Sequence, residues 1–169
     1  IIIFPELCLI GYPAYDLIER NDIRAELELA FKHILKTSLL KPNLTIIFGS
    51  IRYEQDKKYN TAFVVQNGKM IHYQDKQCLP NYDMFADERH FEPGSSNGLL
   101  KINDKNVMLL VCEDAWVNPI FPALYSKYNN KPLEKFNSNQ VDMVICISAS
   151  PFEYGKLQKR FKLFEYIKV

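Results

Sequence analysis

Val107-Met108-Leu109-Leu110-Val111-Cys112-Glu113-Asp114-Ala115-Trp116 is the stretch whose reading decides the fold. A run that is apolar at every position, Val107 to Val111, reads as a strand buried on both faces, in a sheet covered by helices. Ligand sites in such sheets lie beyond the carboxyl ends of the strands. Cys112 stands at such an end, followed at once by Glu113 and Asp114. Thiols react as thiolates, and neighbouring carboxylates push a thiol pKa up. Chemistry at Cys112 therefore requires a base aimed at the sulfur and a cation close by.

Moving outward, Leu99–Ile102 and Val107–Val111 form a hairpin across the Asn103–Asn106 turn. Val141–Ile147 is another buried strand, closing on Ser148-Ala149-Ser150-Pro151. Gly155–Val169 begins a helix whose apolar stripe is Leu157, Phe161, Phe164 and Ile167. Its Lys156, Lys159, Arg160 and Lys162 read mostly as a solvated face. On the other side, Ala62–Gln66 and Lys69–Tyr73 flank Asn67-Gly68, a strong hairpin signal because both turn positions need positive φ. Leu44–Ile51 is an apolar core strand. A helix before it, capped by Asn21 or Asp22, carries Ile23, Leu27, Ala30, Phe31, Ile34 and Leu35 on one stripe and ends ahead of Pro42. Gly11 and Pro13 make Leu7–Asp16 a loop, and Ile1–Phe4 is a strand stopped by Pro5 and Glu6. Asp75–Gly94, charged and aromatic without a period, reads as a long functional loop. Asn118–Asn139 reads as polar surface with a short helical piece. Hairpins mixed with helices imply an α/β sandwich with mixed sheets.

The bulk properties narrow the field. The 169 residues fit one domain or part of a larger one, and a net charge of +1 gives no argument for a nucleic-acid or acidic-membrane partner. No stretch has the length of a membrane span, and no signal peptide is visible. The four cysteines, Cys8, Cys78, Cys112 and Cys146, lack metal-like spacing, so no metal site is expected and reduced thiols in a cytosolic protein are the simplest reading. Both ends read as cut, at Ile1 in mid-strand and at Val169 inside a helical pattern, so a piece of a longer protein is expected.

Several apolar strands end on reactive side chains: Glu6, Cys112, Ser148 and Ser150. Glu6, after a strand and a proline, is either a rigid, partly desolvated general base or a carboxylate capping a local turn. Lys76 alone is more often a solvated charge; functionally it is the missing cation, able to stabilise a thiolate and an oxyanion. Cys112 alone is more often a small buried hydrophobe than a nucleophile.

Taken together, Phe4-Pro5-Glu6, Lys76-x-x-Leu79-Pro80-x-Tyr82 and Cys112-Glu113-Asp114-x-Trp116 resemble the Glu, Lys and Cys motifs of the nitrilase superfamily of C–N hydrolases. Within it, Pro5–Leu17 is similar to the P-E-L-x-L-x-G-Y-P-x-x-D-L stretch of the glutaminase domain of glutamine-dependent NAD synthetases. Asn81-Tyr82, Phe91-x-Pro93-Gly94 and Ser148–Phe152 also resemble that domain. The resemblance implies a nitrilase-like α-β-β-α sandwich, incomplete at both ends. Residues 1–169 would be a partial glutamine amidohydrolase domain without its first strand and helix and without the C-terminal synthetase domain. It also implies a mechanism. Glu6 takes the thiol proton as Cys112 attacks the side-chain amide of glutamine, and Lys76 with the backbone N–H of Glu113 holds the oxyanion. A thioester on Cys112 is then hydrolysed.

Family glutamine contacts map onto Tyr82, Trp116, Ser150 and Lys156. Lys156 departs from a common arginine, keeping the charge but losing the bidentate fork. The family's accessory glutamate falls at Asp87, and either Asp87 or Glu88 could fill that role. No cofactor is implied for this domain; ATP and magnesium would belong to the synthetase domain, and the protein would be a homo-oligomer in the cytoplasm. The competing readings are a stand-alone nitrilase-type amidase or carbamoylase, and a non-catalytic homologue. The Gly11–Leu17 stretch argues against the first, and the presence of Glu6, Lys76 and Cys112 together against the second.

Overall fold

The alternation of side chains along the central strands sorts the molecule into four layers. A computed structural model describes residues 1–95 and 98–168. The chain runs β1 (Ile2–Ile3), α1 (Asn21–Ser38), β2 (Ile46–Glu54), β3 (Lys57–Gln66), β4 (Lys69–Asp75), α2 (Asp87–His90) and β5 (Leu99–Ile102). It continues through β6 (Lys105–Val111), α3 (Glu113–Trp116), α4 (Pro122–Lys127), β7 (Met143–Ile147) and α5 (Lys156–Ile167). Two sheets result, ordered β1-β2-β3-β4 and β5-β6-β7. Each is mixed: β1–β2 and β6–β7 pair parallel, while β2–β3, β3–β4 and β5–β6 pair antiparallel.

Successive strand residues face opposite sides, and the core follows that rule. Ile47, Ala62, Val64, Val107, Leu109, Val111, Ile145 and Ile147 point between the sheets. Phe48, Phe63 and Val65 point outward onto Phe31, Ile34 and Leu35 of α1. Met108 and Leu110 point to the far side, where Trp116 and Leu163 cover them. The order is therefore α1, first sheet, second sheet, then α5 with α3: an α-β-β-α sandwich, as the motifs implied. Val107–Val111 of β6 is buried on both faces, as its continuous apolar run requires.

The Asn67-Gly68 turn takes the expected form, with φ of 48° and 74°. Other expectations need correction. Neither Asn21 nor Asp22 caps α1: both are already helical, Arg20 precedes them with an extended backbone, and no side chain caps the end. Asp22 pairs with Arg20 instead, which still places an acid in the first turn of the helix dipole. The second strand continues to Glu54 and forms a hairpin with Lys57–Thr61, a polar segment without a period-2 signal. The Ile1–Phe4 strand shrinks to Ile2–Ile3, half exposed. The strand placed at Val141–Ile147 is only partly buried: it begins at Met143, which is itself exposed.

The largest departure is α5. Its expected stripe of Leu157, Phe161 and Phe164 is exposed, Ile167 is half-buried, and Leu163 is the residue that packs into the sheet. Val169 lies outside the described residues. No helix among the described residues is long and apolar enough to cross a membrane.

Candidate active site

Glu6, Lys76 and Cys112 leave three different strands and meet at one end of the sandwich. Glu6 is delivered by the loop after β1, and the reason is a glycine. Gly49, inside β2, lets the Pro5–Leu7 backbone lie directly against it; a Cβ there would fall 2.2 Å from Leu7 N and 2.6 Å from Glu6 Cα. The Gly49 N–H donates to Pro5 O at 3.1 Å, which fixes the approach. An isolated glycine inside a strand is the sequence signal for such contact.

Lys76 follows β4. Its N–H donates to Asn60 O at 2.8 Å, one step past the last β3–β4 pair, Thr61 with Asp75. The preceding Asp75 is clamped by Arg52 through two hydrogen bonds of 3.0 and 2.7 Å and by the Thr61 hydroxyl at 2.6 Å. The strand end that launches Lys76 is thus fixed from its own sheet.

The Lys76 ammonium is fully buried and donates to Glu6 Oε1 at 2.8 Å and to Asp87 Oδ2 at 2.6 Å. Burial alone would push its pKa down; Glu6, Cys112 and Asp87 facing it reverse the sign and hold it well above the ordinary lysine value. Glu6 also accepts from Asn60 Nδ2 at 2.8 Å, and its Oε2 accepts from Ala149 N–H at 2.9 Å. Tyr12 donates to Asp87 Oδ1 at 3.0 Å. Of the two acids proposed for the accessory position, Asp87 is the one beside Lys76. Glu88 is exposed and bonded to Asn81.

Cys112 closes β6 with φ 48° and ψ −100°, a sparsely populated region for a residue with a Cβ. Its N–H donates to Ile147 O at 2.8 Å, tying the turn to β7. Its sulfur lies 3.8 Å from Ser150 Oγ. Burial, then the Glu6 carboxylate, push the thiol pKa up, and Lys76 pulls against them; the thiol stays neutral near pH 7. Glu113 begins α3, so its N–H is one of the groups a helix start leaves without an intrahelical partner.

The two acids after the cysteine are both buried, and both have partners. Glu113 accepts from the Tyr82 hydroxyl at 2.9 and 3.0 Å and from the Tyr128 hydroxyl at 3.1 Å; burial raises its pKa. Asp114 turns inward and accepts from Gln77 N–H at 2.9 Å, Cys78 N–H at 2.8 Å and Val111 N–H at 3.2 Å. Burial pushes Asp114 up to about 7 against those donors. Asp114 therefore holds the loop that carries Lys76 onto the turn that carries Cys112.

Of the four expected substrate residues, three gather around Trp116 and one stands apart. Trp116 and Lys156 meet, with the Lys156 ammonium 4.4 Å from the ring centroid; that ammonium also lies 3.7 Å from Glu153. Ser150 and Trp116 line a groove of about 540 Å³ together with Ser148, Phe4 and Phe161. Tyr82 stands apart from that groove, its hydroxyl engaged by Glu113. Asn60, Gly49 and the inward role of Asp114 were missed from sequence; of these only Gly49 carried a local signal. Among the described residues no group of three or more His, Cys, Asp or Glu side chains could hold a metal ion.

The profile of the carbon-nitrogen hydrolase family matches residues 1–127. The glutamine-dependent NAD(+) synthetase of Acinetobacter baylyi is 33% identical over 162 residues, 95% of this chain and 27% of that protein. The same enzyme of Thermotoga maritima is 34% identical over 158 residues, 92% of this chain and 25% of that protein. The chain spans about a quarter of the length of these curated relatives. Among solved structures, the glutamine-dependent NAD+ synthetase from Acinetobacter baumannii in complex with adenosine diphosphate aligns with a TM-score of 0.82 and 30% identity, over 97% of this chain and 28% of that one. An amidase of the nitrilase superfamily from Nesterenkonia AN1 aligns with a TM-score of 0.69 at 14% identity, over 93% of this chain and 55% of that one, a likeness of fold.

Proposed function

The chain belongs to the carbon-nitrogen hydrolase family, and from that premise we propose that it is the glutaminase part of a glutamine-dependent NAD synthetase. The observation that carries the reading is the buried Glu6–Lys76–Asp87 set placed beside a neutral thiol at a strained strand end. Similarity to named glutamine-dependent NAD(+) synthetases over nearly the whole chain supports the choice of substrate.

In the proposed reaction Cys112 attacks the side-chain amide carbon of glutamine as Glu6 removes the thiol proton. A resting thiolate is unnecessary, which suits a thiol whose pKa is raised. Lys76 and the Glu113 N–H stabilise the oxyanion where charge develops. Glu6 returns the proton to the departing ammonia, leaving a thioester on Cys112, and then activates the water that releases glutamate. Asp87 serves as the accessory acid, holding the ammonium together with the base. Trp116, Ser150, Lys156 and Tyr82 are the proposed substrate contacts, with Lys156 facing the substrate carboxylate.

The ammonia would be consumed by a synthetase domain in ATP-dependent conversion of deamido-NAD to NAD. ATP and magnesium are assigned to that domain. Further copies of the chain are the other proposed partner. Ammonia release from glutamine by the complete protein tests the reading. It is expected to vanish in Cys112→Ala, with a glutamyl adduct on Cys112 seen by intact mass in the parent. Undiminished release from Cys112→Ala overturns it, and turnover of simple amides in preference to glutamine would favour a stand-alone amidase.

A further inference from the structure

Asn60 stands where the base and the cation of the site both meet β3. It is fully buried. Its side-chain Nδ2 donates to Glu6 Oε1 at 2.8 Å, and its main-chain carbonyl accepts from Lys76 N–H at 2.8 Å. The other end of its carboxamide, Oδ1, is buried with no hydrogen-bond partner among the described residues. An unpaired buried acceptor is destabilising, and an apolar side chain at this core position would avoid it. The orientation has a physical cause. Turned over, Oδ1 would face Glu6 Oε1, acceptor against acceptor, and the donor to the carboxylate would be lost.

A carboxylate oxygen offers two lone-pair sites. Oε1 of Glu6 already takes Asn60 Nδ2 and Lys76 Nζ, whereas among the described residues Oε2 takes only Ala149 N–H. Three elements thus fix the plane of the group, and only Oε2 keeps capacity for a further proton.

We infer that Asn60 is a positioning residue that, with Lys76, fills Oε1 and so assigns the proton exchange with Cys112 to Oε2 of Glu6. The inference rests on the reaction proposed above. In that step the S–H bond of Cys112 breaks, its proton passes to Oε2, and the sulfur electron pair forms the bond to the amide carbon. The proton leaves Oε2 with the ammonia when the C–N bond breaks. In this assignment Asn60 acts through the carboxylate to which it donates.

The test is the pH dependence of Asn60→Ala in the complete protein. Lys76, Asp87, Tyr12, Cys112 and Cys146 are the titrating neighbours of Glu6, and the variant leaves all of them in place. A hydrogen bond to the ionised form of a carboxyl favours that form. Its loss is expected to move the acid limb of kcat/KM upward by about one unit, with kcat about tenfold lower and KM within about threefold. The same limb, read as the rate of Cys112 alkylation by iodoacetamide with peptide mass mapping, needs no glutamine. A parent protein that alkylates normally but releases no ammonia sinks the functional reading and leaves the Asn60 shift to be judged on alkylation. An acid limb unmoved in both assays overturns the inference, however slow the variant. Should Asn60→Ala not fold, Asn60→Asp, of the same shape, is read in its place. It sets a second carboxyl against Glu6, and a larger upward move is expected; an unmoved limb again overturns the inference.

Discussion

The two sheets reach the same site by opposite physical means. The β1-β2-β3-β4 sheet contributes Glu6 and Lys76, an ion set closed by Asp87 and held by Asn60 and Ala149 before any substrate arrives. The β5-β6-β7 sheet contributes Cys112, an uncharged thiol packed in the core on a backbone held at positive φ, with a long polar contact to Ser150. Order is kept by charge neutralisation in the first half and by backbone constraint in the second. Losing a charged side chain from the first half should therefore destabilise the protein as well as silence it, whereas losing the thiol should only silence it.

Lys76→Met breaks the comparison hardest. It leaves the Glu6 and Asp87 carboxylates facing each other in a dry interior with no cation. Removing one partner of a buried charge set costs about 3–5 kcal/mol, and glutaminase activity should disappear with it. Denaturant unfolding of the variant checks this. A loss under about 1 kcal/mol, the range of an exposed pair, would show that the first half is not held by its charges.

Asp114→Ala cuts the tie between the halves. It strips the acceptor from Gln77, Cys78 and Val111, and each buried donor left unpaired costs about 1–3 kcal/mol. Relaxation should hold the total near about 3 kcal/mol, with kcat falling because Lys76 loses its register on Cys112. The carboxyl also leaves a pH signature. Its folded-state pKa of about 7 lies above the ordinary 3.8, so the folded protein holds the proton more tightly. That contribution is fully present below the ordinary value and is lost as pH rises through about 7. Asp114→Asn should flatten the decline; an unchanged slope in urea midpoints across this window would remove Asp114 as its source.

Gly49→Ala probes how the first half is assembled. The added methyl would overlap the Pro5–Leu7 backbone, which cannot rotate away as a side chain could. Overpacking of this kind costs about 1–3 kcal/mol. Glu6 should be displaced with the loop, so activity ought to fall further than stability. Full activity in a folded variant would show that the loop position does not govern the base.

These cases also show what the residues could reveal unaided. A mixed α/β sandwich was legible because Val107–Val111 is apolar at every position and the Asn67-Gly68 turn admits few conformations; the four-layer order came from the resemblance. Glu6 and Cys112 were legible as strand ends, Lys76 as a charge just after a hairpin, and the three motifs together made the resemblance. Asn60 was not, because the polar Lys57–Thr61 segment lacks alternation and its asparagine faces a charge supplied by a residue 54 positions away. Asp87 and Glu88 are neighbours in sequence, and only the short α2 helix turns one inward and the other out. The stripe on α5 shows the opposite limit: periodicity correctly marks a helix but does not reveal which face meets the sheet.

The smallest effect tests the second half most directly. Cys112→Ala and Cys112→Gly both delete the nucleophile, so both should be inactive and neither should disturb the ion set. They differ in backbone alone. Alanine keeps the Cβ that makes φ 48°, ψ −100° costly, by about 1–3 kcal/mol. Glycine relieves it but gains about 0.4–1 kcal/mol of unfolded-state entropy to lose. The difference should leave the glycine variant more stable by about 1 kcal/mol, read as a shift in urea midpoint at constant m value. Alanine equal to or above glycine would mean that the turn carries no strain. Cys112 would then be held only by its N–H bond to Ile147 and the packing around it, and the contrast between the two sheets would reduce to charge.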